Sequence, residues 1–130
     1  MTAARIRPGA NVAVKVPPDR FEDTVAFYRD ALGFEVVEED VADTPTLERS
    51  CSLRFGAARL WLDLVPGLDR TEVWFELRAD DLDAARERLA AAGGQPCDEV
   101  EPFPGVGETC HWIRDPAGVV HLLVGPDADG

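Results

Sequence analysis

Cysteine is scarce in this chain, with three residues in 130. Cys51, Cys97 and Cys110 are widely spaced, odd in number and form no CxxC pair, which excludes a disulfide framework or a structural zinc knot as the basis of the fold. Buried, reduced thiols are expected instead. Histidine is scarcer still, with only His111 and His121. Positive charge is also short: 13 Lys and Arg stand against 25 Asp and Glu, for a formal net charge of −12 and a pI near 4.4. That balance argues against nucleic acid, whose phosphates need clustered Lys and Arg. It suits solubility, or attraction for a cationic ligand. No apolar run reaches the ~18 residues of a membrane span. The start, MTAARIRP, lacks the apolar segment of a secretion signal, so a cytoplasmic protein without a membrane partner is expected. No Ser-His-Asp or Cys-His arrangement stands out. The GVG stretch at Gly105–Gly107 is followed by neither Lys nor a helix, so it is no phosphate loop.

What is present is ordinary in amount and unusual in order. Apolar residues make up 45% and charged residues 29%, the balance of a soluble globular protein, and the length suits one domain spanning residues 1–130. Within it lies a repeat. NVAVKV (Asn11–Val16) alternates and leads into PPDRFEDTVAFYRDALG (Pro17–Gly33); EVWFEL (Glu72–Leu77) alternates and leads into RADDLDAARERLAAAGG (Arg78–Gly94). Asn11 and Glu72, Asp19 and Asp80, and Gly33 and Gly94 are each 61 residues apart.

Each copy reads as a strand and a helix. Asp19 with Glu22 three residues on resembles a capping box, Phe21, Val25, Tyr28 and Leu32 form one apolar stripe, and Gly33 ends the helix. In the second copy Asp80 or Asp81 caps, Leu82, Ala85 and Leu89 form the stripe, and Gly93 with Gly94 stops it. Three strand-like runs follow each helix: 34–40, 51–55 and 59–65, then 95–101, 109–114 and 119–124. Each half is therefore βαβββ, with module one at about 10–65, module two at about 71–125, a PGLDR link (Pro66–Arg70) between them and a PFPGVG loop (Pro102–Gly107) inside the second. The tail from Pro126 is expected to be disordered.

Two βαβββ halves, the FYRDALGF segment (Phe27–Phe34) and the RDPAG hairpin (Arg114–Gly118) resemble the vicinal oxygen chelate superfamily, which includes glyoxalase I, bleomycin-resistance proteins and extradiol dioxygenases. The resemblance covers residues 10 to 125. It implies an α+β fold in which two βαβββ modules form a cup-shaped, barrel-like mixed sheet with the helices outside, and it implies a homodimer. Strand alternation then sorts side chains between the faces. Val12, Val14, Val16, Leu60, Leu62, Leu64, Val73, Phe75 and Leu77 should face the helices. Asn11, Ala13, Lys15, Arg59, Trp61, Asp63, Glu72, Trp74 and Glu76 should face the cup. The DPAG turn (Asp115–Gly118) suits a three-residue loop with Trp112 opposite Leu122. Cys110, Trp112, Val120 and Leu122 then point inward, and His111, Ile113, His121 and Leu123 point to the helix side. Faces for 51–55 stay open by one residue, because the turn at Gly56 and Ala57 is ambiguous.

Metal-dependent members of the superfamily use His or Gln, Glu, His and Glu on strands one, four, five and eight. The matching positions here are Asn11, Trp61, Glu72 and Leu122, two pairs that again lie 61 apart. Trp61 and Leu122 offer no lone pair to a divalent ion, so no metal and no other cofactor is expected. All three tryptophans fall on inward positions. The reading is a metal-free binding protein for a small aromatic or cationic molecule, lined by Asn11, Lys15, Arg59, Trp61, Asp63, Glu72, Trp74, Glu76, Trp112 and Leu122. The alternatives are an enzyme and a cup filled by its own tryptophans. The enzyme would be a divergent lyase, epimerase or dioxygenase, metal-dependent or using Glu72, desolvated between Trp61 and Leu122, as acid or base.

Overall fold

The computed structural model describes residues 5–126. The chain forms two compact units, Ala10–Trp74 and a second made of residues 5–9 with 75–126. Both are α+β, and each contains one βαβββ succession.

The first unit takes β1 (Ile6–Val16) from residue 10 onward, α1 (Phe21–Ala26), β2 (Val37–Glu39), β3 (Arg49–Phe55) and β4 (Ala58–Leu64). Its strands lie in the order β2-β3-β4-β1, with β1 and β4 parallel and the others antiparallel. Alternation builds the core. Val16, Cys51, Leu53, Leu60, Leu62 and Leu64 share the face covered by Phe21 and Val25, with Val12, Val14 and Tyr28 packed at its margin. Phe21 is fully buried, so it anchors the helix to the sheet; truncating a core Phe typically costs about 3–5 kcal/mol. The two-residue turn at Gly56 and Ala57 carries its positive φ, +66°, at the glycine. It places Cys51 and Leu53 on the helix side and Ser50, Ser52 and Arg54 on the other.

The first helix differs from its sequence pattern. Pro17 and Pro18 have fixed φ and no N–H, so the chain enters through a short 3₁₀ turn, Pro18–Arg20. Asp19 lies inside that turn, and no side chain caps the start. After Ala26 the winding widens to a π-turn, Phe27–Ala31, closed by Leu32 N–H to the Phe27 carbonyl at 3.0 Å. The wider turn carries Leu32 off the apolar stripe, leaving it 45% exposed. Gly33, at φ +77°, ends the element as expected. The strand anticipated over 34–40 shrinks to β2.

The second unit contains β5 (Glu72–Ala79) from Phe75 onward, α2 (Leu82–Ala91), β6 (Gln95–Pro96), β7 (Cys110–Arg114) and β8 (Val120–Val124), in the order β5-β8-β7-β6. Asp81, not Asp80, caps α2, accepting from the Ala84 N–H at 3.1 Å; Asp80 instead pairs with Arg7 at 3.0 Å. Leu82, Ala85 and Leu89 meet Leu77, Ala79, Ile113 and Leu123. The β7–β8 turn forms as read: Gly118 (φ +95°) donates to the Asp115 carbonyl at 2.8 Å, and Trp112 pairs with Leu122.

Two expectations fail here. The run 95–101 is strand only at β6. Pro96 has no N–H to extend the ladder, and a 3₁₀ turn at Asp98–Val100 follows, where Asp98 takes up the Trp112 N–H at 2.7 Å. Val73 and Phe75 are not covered by a helix but 42% and 43% exposed. α2 covers β5 only around Leu77 and Ala79, and Phe75 leans on the His121 ring instead, 5.7 Å between centroids.

The two caps give a direct comparison. Asp81→Ala should lower unfolding free energy by about 1 kcal/mol, and Asp19→Ala by less than about 0.5 kcal/mol, both measured by urea denaturation. Equal losses would mean that Asp19 caps the first helix after all.

Candidate functional site

The face of the Ala10–Trp74 sheet opposite α1 is polar, and its rows follow from register. Lys15 lies beside Asp63, and Asp63 beside Ser50; Ala13 lies beside Trp61, and Trp61 beside Ser52; Asn11 lies beside Arg59, and Arg59 beside Arg54. The first row is the most buried. Lys15 is 1% exposed and Asp63 4%. The Lys15 ammonium donates to Asp63 Oδ2 at 2.6 Å, and the Ser50 hydroxyl donates to Oδ1, also at 2.6 Å. The ammonium also lies 4.3 Å from the centroid of the Trp74 ring, where the ring's negative face stabilises it. A charge removed from water is tolerated only with such partners.

The second row holds a tryptophan that solvent reaches. Trp61 is partly exposed, and its indole N–H donates to Asn11 Oδ1 at 2.9 Å. Arg59 donates to the Ser52 hydroxyl at 2.9 Å, and that hydroxyl donates to Glu39 at 2.5 Å. At the end of the unit the Trp74 indole N–H donates to Glu72 at 2.9 Å. Trp74 is buried and Glu72 exposed. The desolvated surroundings expected for Glu72 are therefore not found: its neighbour in sequence, not an apolar wall, holds it.

The remaining expected site residues belong to the second unit. Glu76 lies beside Leu122, and Leu122 beside Trp112, across β5, β8 and β7. Glu76 packs against Gly9, where any Cβ would come within 2.1 Å of its carboxylate. Trp112 is 4% exposed and its indole N–H donates to the Glu101 carbonyl at 2.8 Å, so it is a satisfied core side chain. The histidines take the helix side, as the alternation implied. His111 donates from Nδ1 to Asp98 at 3.0 Å and lines a pocket of about 390 Å³ with Asp83, Arg86 and Glu87 of α2. His121 donates to the Val119 carbonyl at 3.0 Å and lines a smaller apolar pocket with Leu77, Leu89 and Leu123.

Sequence reasoning missed Ser50, Ser52, Arg54 and Glu39. The first three lie on the strand whose face was open by one residue, and their alternation with Cys51 and Leu53 was the available signal. All three thiols are buried and free. Burial raises each above its ordinary value, and pushes Cys51, beside the Glu38 carboxylate, up to about 11.

Residues 12–124 match the Glyoxalase-like domain family. The chain belongs to that family. Among solved structures this glyoxalase-like chain is similar to methylmalonyl-CoA epimerase from Mycobacterium tuberculosis, at 22% identity and a TM-score of 0.62 over 97% of this chain and 92% of that one. It is similar to a glyoxalase/bleomycin resistance protein/dioxygenase superfamily member from Vibrio splendidus, at 16% identity and a TM-score of 0.53 over 93% and 99%. It is also similar to homoprotocatechuate 2,3-dioxygenase from Brevibacterium fuscum, at 22% and 0.57, covering 95% of this chain but 37% of that protein. Identities this low carry the fold alone. No curated protein matches the chain.

The metal quartet of metal-dependent glyoxalase relatives does not fit this member. Trp61 and Leu122 have no donor atom, and the Asn11 oxygen, a weak donor, accepts the Trp61 N–H. Glu72 is the single strong ligand among the four positions, and among the described residues no three His, Cys, Asp or Glu side chains gather around one point.

Two results should follow. Lys15→Met leaves Asp63 buried without its counter-charge and should cost about 3–5 kcal/mol, most of it recovered by adding Asp63→Leu; a loss under about 1 kcal/mol would show the pair to be dispensable. The native thiols should resist alkylation at pH 8. The folded Cys51 thiol keeps its proton to higher pH than the unfolded one, so its contribution to stability is full below about pH 9 and is lost as pH climbs toward 11. Stability that stays flat or rises over that range would contradict the buried assignment.

Proposed function

We propose that this glyoxalase-like protein binds a small aromatic molecule, without a metal, on the polar face of the Ala10–Trp74 sheet. The carrying observation is the Trp61–Asn11 hydrogen bond. It joins two of the positions that hold metal in metal-dependent relatives, and it fixes the indole of a partly exposed residue. A ring held in one orientation loses little freedom when a flat ligand stacks on it, which favours affinity. Of the ten side chains expected to line the site, Trp61, Asn11, Arg59 and Glu72 remain at least partly exposed in this unit. Lys15, Asp63 and Trp74 form the buried support beneath them. The acid of that support, Asp63, already holds Lys15, which weakens the case for a cationic ligand and leaves Glu72 as the accessible acid of the expected set in this unit.

Among the described residues no helix is long and apolar enough to cross a membrane. The proposal keeps a small molecule as the partner, with the homodimer that the family resemblance implies.

Titration of dialysed protein with nickel, zinc, manganese and iron(II) should show no stoichiometric binding. Phenol and benzamide should change tryptophan emission, and Trp61→Phe should remove that change. One equivalent of metal bound and lost in Glu72→Ala would overturn the metal-free reading. Emission indifferent to every aromatic probe would favour tryptophans that serve only as filling.

A further inference from the structure

Two arginines face each other close to the β3–β4 turn. Arg54 and Arg59 are direct cross-strand partners, and both line a pocket of about 420 Å³ with Gly33, Phe34, Glu35 and Val37. Like charges opposite each other on a sheet repel. The chain has 25 acids for 13 bases, so carboxylates to neutralise them are plentiful. Yet among the described residues neither guanidinium forms an ion pair. Arg59 is oriented by the Ser52 hydroxyl at 2.9 Å. Glu35 shares the pocket lining, outside ion-pair distance of either arginine. Other cations of this unit are paired, Arg49 with Glu22 and Glu38, and Lys15 with Asp63.

We propose that Arg54 and Arg59 are the anion-binding end of the site, and that the ligand is an aromatic carboxylate. Two guanidinium groups on one wall offer the paired donors that match a planar carboxylate. The rest of the lining suits a ring or short apolar body. Phe34 and Val37 of that lining are 39% and 47% exposed. Trp61 is two residues from Arg59 on the same strand and the same face, roughly 6.5 Å along β4. A benzoate-sized molecule spans that distance, its carboxylate at the arginines and its ring toward Trp61. This rests on the aromatic reading above for the ring only; the arginine pair stands on its own register and charge.

The probes are benzoate, its neutral isostere benzamide, the cation benzylamine and inorganic phosphate, read by tryptophan emission and by thermal shift. Benzoate should bind at least 10-fold more tightly than benzamide, and benzylamine should bind weakest. Arg54→Ser should remove the preference for benzoate, while Arg54→Lys, which keeps charge but not the fork, should retain part of it. Without ligand, Arg54→Ser should raise Tm by about 1–3 °C through relief of repulsion, so lost binding cannot be put down to misfolding. Equal binding of benzoate and benzamide, with Arg54→Ser unchanged, overturns the arginine site and leaves the aromatic reading standing. Phosphate or benzoate stabilising the protein through Arg54 without touching emission supports the anion site and overturns the aromatic reading. No response to any probe overturns both.

Discussion

A lysine ammonium and an aspartate carboxylate lie 2.6 Å apart between parallel strands, almost wholly removed from water. The desolvation cost of such a pair is several kcal/mol per ion, and only good geometry with further hydrogen bonds offsets it. Here Ser50 completes the carboxylate and the Trp74 ring lies against the ammonium. The pair therefore acts on register more than on gross stability. Slipping β1 by one residue would move Lys15 into the valine and leucine face and strand Asp63 alone. With that register fixed, Ala13 meets Trp61 and Asn11 meets Arg59, and the polar face has one arrangement.

That arrangement decides which chemistry the face can support. The family fold hosts many reactions, so function has to be argued from side chains rather than from topology. Two positions that carry metal donors in metal-dependent relatives here hold each other, indole to amide. An indole N–H has no lone pair for an ion, but it makes a good rigid wall for a flat ligand. Beside it, Arg59 is aimed by the hydroxyl and carboxylate of Ser52 and Glu39. Arg54 and Arg59, opposite each other on this face, offer guanidinium donors to an electron-rich ligand in spite of the net charge of −12.

Much of this could be read from residue order. The 61-residue repeat, the alternation of valines and leucines, and the glycines at 33 and 118 give the βαβββ succession, the helix-facing sides and the last hairpin. The sequence pattern failed where backbone chemistry competes with side-chain period. Pro17 and Pro18 replaced a side-chain cap with a 3₁₀ entry, and Pro96 cut short a strand that alternation alone would have extended. For the site, inward-pointing positions were readable but their accessibility was not. Trp74 and Trp112 are buried, with their N–H groups satisfied by Glu72 and the Glu101 carbonyl. The Glu101 partner lies 11 residues from Trp112, and no periodic pattern marks it. The serines of β3 were hidden by a turn whose type depends on the single positive φ of Gly56.

The central claim is that Trp61, held by Asn11, is the ring that meets the ligand, while Trp112 belongs to the core. The most direct measurement is a proton–nitrogen correlation spectrum of the three indole N–H groups during titration with benzoate. The account predicts that the Trp61 signal shifts in proportion to occupancy and the Trp112 signal stays in place. A Trp112 signal that shifts as far as that of Trp61, or three signals that never move, would contradict it.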